Sequence, residues 1–388
     1  IQALGKGKRI HARVIMDLSM KNNHVILTAV VDMYAKCGML QKSRRVLDQI
    51  SVQDLVSWTV LIHGFAEDGQ GEKALSLFEQ MHQEGLFPDV FTISCILKAC
   101  GAIGCIRKGK RIHAKFVEGG SLMKDQQFDT TLMDMYAKCG ELVEAKKIFF
   151  TLRSRNVVSW TAFISGYVRL GHYEDALNSY ELMRQEGFSP NSVTFLCILK
   201  ACGNVGAINK GKQIHKEIMR HGLLVKDDLL GNSLVDMYAK CSAFAKAVEV
   251  FIMLPIHNVV SWNAIITGYA HHGCGEEALA YFEQMQREGL SPNAITIICI
   301  LKACGSIGAI NKGRLIHFHA MREKLLEKDI LVGNALLDMY VKCGICMKAQ
   351  EVFGKLPVRN VATWTVLITG YAQLEREEVV VDLFNEML

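Results

Sequence analysis

The chain repeats itself at a spacing of 102 residues. The phrase VVSW, LVSW or VATW begins at Leu55, Val157, Val259 and Val361. Between these phrases, DMYAKC or DMYVKC begins at Asp32, Asp134, Asp236 and Asp338, and CILKACG begins at Cys95, Cys197 and Cys299. Self-similarity at a fixed period is typical of stacked structural repeats, in which each repeat contacts only its neighbours. We therefore expect a solenoid.

The composition agrees with a solenoid and excludes a membrane span. A chain of 388 residues is too long for one ordinary core, whereas a solenoid grows along its axis. Half of the residues are apolar, but no run approaches the roughly 18 uncharged apolar residues of a spanning helix. The net charge of +5 allows an anionic partner if it is concentrated on one face. No signal or transit peptide is visible, and the chain starts at Ile1 in mid-repeat, which predicts a fragment of a longer protein.

Each superperiod divides into repeats of 31, 35 and 36 residues. The 31-residue repeats are 24–54, 126–156, 228–258 and 330–360; the 35-residue repeats are 55–89, 157–191 and 259–293; the 36-residue, or long, repeats are 90–125, 192–227 and 294–329. A partial long repeat at 1–23 and a partial 35-residue repeat at 361–388 flank them. In 157–191, apolar residues recur with helical spacing on both sides of Gly171 and end before Pro190. The sequence therefore predicts an all-α solenoid of helix hairpins.

The cysteines indicate packing rather than disulfides. The chain has 13, an odd number, and ten stand at repeat-equivalent positions: Cys37, Cys139, Cys241, Cys343, Cys95, Cys100, Cys197, Cys202, Cys299 and Cys304. Such residues are most simply small core residues, and the absent signal peptide favours a reducing compartment.

The repeat lengths together with VVSWNAIITGYA, CILKACG…GKQIH and GNSLVDMYAKC resemble the pentatricopeptide repeat family, specifically its PLS class, over essentially the whole chain. The resemblance implies a right-handed superhelix that binds single-stranded RNA, about one base per repeat. It also implies a chloroplast or mitochondrial factor that recognises sites for C-to-U RNA editing or RNA processing. Its expected partners are a cytidine deaminase domain missing from this chain and small editing cofactor proteins docked on the long repeats.

In this family the fifth and last residues of a repeat address one base. Here these pairs are short and polar: Thr28 with Asp54, Thr59 with Asp89, Thr130 with Asn156, Thr161 with Asn191, Asn232 with Asn258, Asn263 with Asn293, and Asn334 with Asn360, followed by Thr365. Ionised Asp only accepts hydrogen bonds and suits G or U, whereas Asn also donates and suits A or C. The family rule adds that Thr in fifth place selects purines and Asn selects pyrimidines. The predicted ligand is 5′-GGNAANYYNY-3′.

The long repeats depart from this pattern. Their fifth residues are Ser94, Leu196 and Ile298, and their last residues are Asp125, Asp227 and Asp329, so their bases stay unassigned. The family also sandwiches each base with the second residue of a repeat, which here means Val25, Val56, Val158, Leu229, Val260 and Leu331. Gln127 and Ala362 depart from this apolar habit.

Two alternatives stay open at this point. Thr, Asn and Asp in these places are also ordinary helix caps and turn residues. Lys36, Lys138, Lys240 and Lys342 stand near the end of a helix in each 31-residue repeat. These lysines either contact the RNA backbone phosphates or interact favourably with the negative, C-terminal end of the helix dipole.

No catalytic, metal or cofactor site is predicted. Gly104 to Lys110 imitates a phosphate-binding loop but lacks the following Ser or Thr, and Cys343 with Cys346 forms a lone CxxC. His82–Glu84 and His215–Glu217 match half of a zinc deaminase motif whose P-C-x-x-C half is absent. The recurring His11, His113, His215 and His317 are interpreted as structural. The alternatives to a non-enzymatic RNA binder are a protein-scaffolding solenoid and an enzyme with an appended domain.

Overall fold

The structure, a computed structural model, describes residues 23–50, 54–118, 126–224 and 227–388. Within these ranges the chain forms 23 α-helices and one π-helical turn, with no strand. It divides into two compact halves, Ile1–Thr194 and Phe195–Leu388. The predicted partial repeat at 1–23 lies outside the described residues except for Asn23, and so do His11 and Asp125.

The first half consists of helix hairpins. Its helices are α1 (His24–Lys36), α2 (Leu40–Leu47), α3 (Leu55–Glu67), α4 (Gly71–Gln83), α5 (Val90–Ile103), α6 (Ile106–Ile112), α7 (Gln126–Lys138), α8 (Leu142–Thr151), α9 (Val157–Arg169), α10 (Tyr173–Gln185) and the start of α11 (Ser192–Val205). A π-helical turn, His113–Glu118, extends α6.

The second half continues α11 and repeats the arrangement. Its further helices are α12 (Ile208–Arg220), α13 (Asp228–Lys240), α14 (Phe244–Met253), α15 (Val259–His271), α16 (Gly275–Arg287), α17 (Ala294–Ile307), α18 (Ile310–Arg322), α19 (Leu325–Lys328), α20 (Ile330–Lys342), α21 (Cys346–Lys355), α22 (Val361–Gln373) and α23 (Glu377–Met387). None of the helices in the described ranges is long and apolar enough to cross a membrane.

Each hairpin has a first helix and a second helix joined by a tight turn. In the hairpin of α9 and α10, Gly171 adopts a φ of +80°, which an L residue with a Cβ would adopt only under strain. Within each half, the first helices of consecutive repeats pack against one another; these helices are α1, α3, α5, α7 and α9 in the first half, and α13, α15, α17, α20 and α22 in the second. The all-α fold of stacked hairpins is the one predicted from the repeat.

Aromatic residues of the repeated phrases form the core between hairpins. Trp58, Trp160 and Trp262, each on the first helix of a 35-residue repeat, are almost completely buried. The ring of Phe149 lies 4.6 Å from that of Trp160, edge to face, and Phe251 lies 4.8 Å from Trp262 in the same way. The repeated Trp therefore fills the space between one repeat and the preceding one.

Nine of the ten repeat-position cysteines divide into a buried set and a helix-end set, and the tenth, Cys197, is half-buried within α11. Cys95, Cys100, Cys202, Cys299 and Cys304 are buried as predicted, and burial raises the pKa of Cys100 and of Cys202 to about 12. Cys37, however, is exposed, and Cys139, Cys241 and Cys343 are only half-buried. The core interpretation is wrong for Cys37 because this set follows the last residue of a first helix, where the helix reaches the surface.

Candidate nucleic-acid interface

The candidate interface lies where the first helices of consecutive repeats adjoin, a place we call a seam. After a 31- or 35-residue repeat, the seam gathers the fifth residue of one first helix, the last residue of that repeat and the third residue of the next first helix. Between α3 and α5 these are Thr59, Asp89 and Thr92. The third residues at such seams all carry a hydroxyl group: Ser57, Thr92, Ser159, Thr194, Ser261, Thr296 and Thr363.

Among the residues that the structure describes, the last residue of a repeat caps the next first helix. Oδ1 of Asp89 accepts hydrogen bonds from the backbone N–H and the hydroxyl of Thr92, both at 2.7 Å. Oδ1 of Asn191 accepts the same two bonds from Thr194, both at 2.9 Å. The backbone cap bond recurs at Asp54, Asn156, Asn258, Asn293 and Asn360. Such a cap contributes about 0.5–2 kcal/mol to helix stability.

The cap uses only one atom of the capping group and leaves the other available. In Asp the remaining atom is Oδ2, which accepts a hydrogen bond, and in Asn it is the Nδ2 amide, which donates. Across the described residues, neither Oδ2 of Asp54 or Asp89 nor Nδ2 of Asn191 or Asn293 makes a hydrogen bond. Helix capping and base recognition are therefore compatible, because they use different atoms.

The fifth residue bridges the seam through the hydroxyl group of the third residue. Oxygen–oxygen distances are 2.8 Å for Thr28–Ser57, 2.6 Å for Thr59–Thr92, 2.7 Å for Thr161–Thr194, 2.6 Å for Asn263–Thr296 and 2.8 Å for Asn334–Thr363. Thr59, Thr161, Asn232 and Asn263 are at most 8% exposed. These four residues thus offer little surface to a ligand, whereas Thr28, Thr130 and Asn334 are half-buried. Thr365 is exposed, and its hydroxyl donates to the Val361 carbonyl at 2.7 Å.

The seam between α15 and α17 shows how an Asn in fifth place orients the last residue. Nδ2 of Asn263 donates to Oδ1 of Asn293 at 3.1 Å, while Oδ1 of Asn263 accepts from the Thr296 hydroxyl at 2.6 Å. Oδ1 of Asn293 also accepts from the backbone N–H of Thr296 at 3.0 Å. Every donor directed at Asn293 reaches its oxygen, so its amide N–H₂ group is directed away from the cap.

The seams after long repeats lack this polar network. Their fifth residues Leu196 and Ile298 cannot form the bridge, and the third residues that follow, Leu230 and Val332, carry no hydroxyl group. Oδ1 of Asp227 and of Asp329 instead accepts from the backbone N–H of the second helical residue, Leu229 at 3.0 Å and Leu331 at 2.9 Å. In the first long repeat, the Ser94 hydroxyl donates to the Val90 carbonyl at 2.8 Å.

The second residues form a repeated set of exposed apolar side chains in both halves. The six predicted residues Val25, Val56, Val158, Leu229, Val260 and Leu331 are 56% to 64% exposed. The structure adds Phe91, Val193 and Ile295 of the long repeats, at 52% to 56%, which the sequence analysis missed although their position is the same. Gln127 and Ala362 are also exposed. The seam that holds Thr59 and Asp89 is therefore flanked by Val56 on one side and Phe91 on the other.

The predicted row of lysines is already paired with acidic residues. Lys36, Lys138, Lys240 and Lys342 each end a first helix, and their Nζ atoms lie 2.8, 2.7, 2.7 and 2.8 Å from carboxylate oxygens of Asp32, Asp134, Asp236 and Asp338. Surface ion pairs of this kind contribute about 0–1 kcal/mol. RNA phosphates would therefore have to compete with an intramolecular carboxylate for each of these lysines.

A close approach between helices positions these lysine stems. A Cβ atom on Gly101 would lie 3.3 Å from Cδ of Lys138 and 3.3 Å from Cα of Met135. The same approach recurs between Gly305 and Lys342. The glycine of CILKACG therefore allows the stem of the lysine in the next repeat to cross the preceding first helix.

The recurring histidines are structural, as predicted. Nδ1 of His113, His215 and His317 lies 2.8, 2.9 and 2.9 Å from the hydroxyl oxygen of Tyr136, Tyr238 and Tyr340. Burial lowers the pKa of His215, and Lys246 lowers it further while Glu249 opposes the change. Burial likewise lowers the pKa of His317, with Lys348 and Lys355 acting in the same direction against Glu351. The lowered pKa favours the neutral imidazole of His215 and of His317, and all three rings lie against a tyrosine of the following repeat.

We expect acidification to destabilise the fold through these histidines. In the unfolded chain their pKa returns to about 6.5, so the unfolded state binds more protons in acid and stability falls as the pH falls below that value. His215→Asn combined with His317→Asn should flatten the dependence of the free energy of unfolding on pH between about 7.5 and 5.5. Urea titrations across this range, with His221→Asn at the surface as control, measure the effect. Parallel pH dependences for the double variant and the unmodified chain would contradict it.

The segments that resemble catalytic motifs are parts of repeats. Gly104 ends α5 with a φ of +70°, and Lys110 lies within α6. Cys343 and Cys346 are both free thiols, the first half-buried after α20 and the second buried at the start of α21. In the described ranges no group of three or more His, Cys, Asp or Glu residues could hold a metal ion.

Comparisons with known proteins place the chain in a family. The PPR repeat family profile matches residues 53–102, 155–204 and 257–306, and the PPR repeat profile matches 25–53, 130–157, 334–361 and 362–388. These matches cover more than half of the sequence. The chain belongs to the pentatricopeptide repeat family.

Relatives from Arabidopsis thaliana align with nearly the whole chain. The chloroplastic pentatricopeptide repeat-containing protein At4g18520 is 36% identical over 95% of this chain and 59% of its own length. The mitochondrial protein At2g03380 is 33% identical over 100% of this chain and 56% of its own length. The chain thus spans less than two thirds of these relatives. Their names agree with the organellar location expected from the resemblance.

Solved structures support the fold. The pentatricopeptide repeat protein PPR10 from maize superposes with a TM-score of 0.66 at 18% identity, covering 94% of this chain and 58% of that protein. PPR10 in complex with an 18-nucleotide psaJ RNA element superposes with a TM-score of 0.77 at 19% identity, covering 95% and 56%. The observed helix hairpins are therefore those of a pentatricopeptide repeat solenoid.

Proposed function

We propose that this chain binds single-stranded RNA sequence-specifically, about one base per repeat, with the preferred ligand 5′-GGNAANYYNY-3′. The observation that carries the proposal is the seam, where a capping Asp or Asn keeps one hydrogen-bonding atom free beside exposed apolar side chains. The family membership and the RNA-bound PPR10 structure, which superposes better than free PPR10, support it.

Each base would be held by its edge and by its two faces. The free Oδ2 of Asp54 or Asp89 accepts from the ring N–H of G, and a free Nδ2 of Asn donates to the bare ring nitrogen of A or C. The faces of the second base would contact Val56 and Phe91, which flank its seam. Apolar and aromatic contacts of this kind tolerate any base, so discrimination falls to the capping residue and to the fifth residue of the repeat.

The lengths of the fifth residues agree with the rule that Thr in fifth place selects purines and Asn selects pyrimidines, because Thr is the shorter side chain. Thr59 and Thr161 end at a hydroxyl group, whereas Asn263 extends one atom further into its seam and bonds directly to the capping Asn293. A smaller fifth residue leaves more room for a two-ring base. This is the physical reason that we assign to purines at Thr repeats and pyrimidines at Asn repeats.

In its cellular role the chain would be the site-recognition part of an organellar C-to-U editing or RNA-processing factor, in the chloroplast or the mitochondrion. Its partners would be a cytidine deaminase and small editing cofactor proteins on the long repeats. The organellar names of the relatives support the location. Assignment to the PLS class remains a prediction from the repeat lengths.

Fluorescence anisotropy with GGUAAUCCUC RNA tests the proposal directly. We expect the designed RNA to bind at least about a hundredfold more tightly than a scrambled RNA of equal composition. The scrambled RNA has several mismatched bases, and each should cost about 1–3 kcal/mol of binding free energy. The matching DNA is a second control. Equal affinity for the two RNAs would reduce the interface to a non-specific basic surface. Absence of binding to any of the three would favour the protein-scaffolding alternative.

A further inference from the structure

A second set of lysines lies on the first helices of the long repeats. Lys98, Lys200 and Lys302 occupy the same place in α5, α11 and α17, and all three side chains are exposed. Over the part of the chain that the structure describes, none of the three forms an ion pair. The residues three and four positions away on each helix are uncharged, so none offers a carboxylate from the same helix.

Helix geometry directs these lysines to the face of the exposed second residues. Each stands seven residues after the second residue of its repeat: Lys98 after Phe91, Lys200 after Val193 and Lys302 after Ile295. Seven residues are two turns of an α-helix to within about 20°. The charge therefore lies on the same side of the helix as the exposed Phe91, Val193 or Ile295, about 10 Å along the axis.

The 31-residue repeats carry the opposite charge at this place. Asp32, Asp134, Asp236 and Asp338 also stand seven residues after a second residue, and each neutralises the lysine four residues later. On this face the 31-residue repeats thus present ion pairs, and the long repeats present uncompensated positive charge.

The imidazole of His271, at the end of α15, lies close enough to these positive charges for them to lower its pKa. Burial lowers the pKa of His271 most, and Lys302 on the next first helix, His272 and Lys240 on the preceding first helix lower it further, against Asp236. Lys302 therefore acts electrostatically across the seam between α15 and α17.

We propose that Lys98, Lys200 and Lys302 are the main contacts to the RNA backbone, so that the long repeats hold phosphates where the other repeats read bases. The inference rests on the proposed RNA binding. It gives a role to repeats whose fifth residues, Leu196 and Ile298, cannot read a base edge. Under this proposal, Lys98, Lys200 and Lys302, rather than the ion-paired lysines of the 31-residue repeats, are the principal cations of the interface.

Salt dependence of RNA binding separates this role from a general effect of charge. The test variant combines Lys98→Gln, Lys200→Gln and Lys302→Gln. The control combines Lys42→Gln, Lys146→Gln and Lys212→Gln, three exposed lysines of second helices that lack ion pairs in the described ranges, so both variants lose the same net charge. Affinity for GGUAAUCCUC and for its scrambled form is measured from about 50 to about 200 mM salt. Circular dichroism melts check that both variants are folded.

Log affinity falls with log salt concentration, with a slope of about −0.7 for each phosphate contact. We expect the slope of the test variant to be shallower by about 2 because it lacks three such contacts. Its affinity should then fall about 20-fold less over this salt range than that of the unmodified chain. Its preference for the designed RNA should persist, and the control should keep the original slope. Equal changes in both variants, or an unchanged slope in the test variant, would overturn the inference while leaving RNA recognition intact. Lack of RNA binding by the unmodified chain would overturn both.

Discussion

Exchanging Asp89 for Asn and Asn191 for Asp should exchange the base preferences at the second and fifth positions of the RNA. Asp89→Asn replaces an acceptor by a donor and should change the preferred second base from G to A. Asn191→Asp does the reverse and should change the fifth base from A to G. Each shift is expected at about 1–3 kcal/mol, the range for good hydrogen-bonded contacts to a base.

The design leaves the fold unchanged because both residues act as caps through Oδ1. Asn and Asp are nearly equal as helix caps, so the bonds to Thr92 and Thr194 persist. The two seams also match in their other members: Thr59 bonds to Thr92 at 2.6 Å, and Thr161 bonds to Thr194 at 2.7 Å. The fifth and third residues are therefore constant, and only the free atom of the capping group changes.

Anisotropy titrations with four RNAs, carrying G or A at the second and fifth positions, measure the exchange. The unmodified chain should prefer G second and A fifth, and the double variant should prefer A second and G fifth. Asp227→Asn, at the end of a long repeat, is the matched control and should leave all four affinities in their original order. Unchanged preferences in the double variant would remove these two seams from the base code.

Adding one methyl group at Gly268 should destabilise the solenoid at the contact between α13 and α15. A Cβ on Gly268 would lie 2.4 Å from Cβ of Ala239 and 3.4 Å from its Cα. The Ala239 methyl group is fixed to its backbone and cannot rotate away, so the two helices would have to move apart. Overpacking of this kind costs about 1–3 kcal/mol or more.

The same substitution at Gly354 provides a control within the chain. Gly354 lies inside α21, and a Cβ there would meet no atom within 4 Å. Gly354→Ala should therefore stabilise the helix by up to about 1 kcal/mol, the difference in helix propensity between Gly and Ala. Urea denaturation followed by circular dichroism compares the two variants. Equal stability of Gly268→Ala and the unmodified chain would mean that α13 and α15 are not in this close contact.

The repeat predicts the fold because it specifies the same local chemistry many times. Gly171 marks the turn between α9 and α10, and Asn156 immediately precedes α9, as the sequence pattern indicates. The third-residue hydroxyl groups are equally visible in the sequence. The third residue after every complete 31- and 35-residue repeat is Ser or Thr, whereas the third residue after each long repeat is apolar. Their meaning was missed because the bond from Thr59 to Thr92 joins two helices, and no local rule predicts such a contact.

The lysines illustrate the same distinction for charge. The spacing of Asp32 and Lys36, four residues apart on one helix, was sufficient to predict an ion pair. What the sequence could not provide is the packing of first helix against first helix, which buries Thr161 and Asn263 to 8% exposure and leaves the capping residue as the accessible member of the pair. Burial of this kind depends on distances between repeats, and a periodic pattern does not contain them.

The proposed double use of the capping residue, for the helix cap and for base recognition, also bears on how such a chain evolves. Codons for Asp and Asn differ only in their first nucleotide, so a single transition in the gene converts one into the other. Because both residues cap the helix equally well, that mutation leaves the stability of the fold nearly unchanged. If the proposed base recognition holds, a lineage could follow changes in its RNA target one nucleotide at a time, with selection acting on recognition alone.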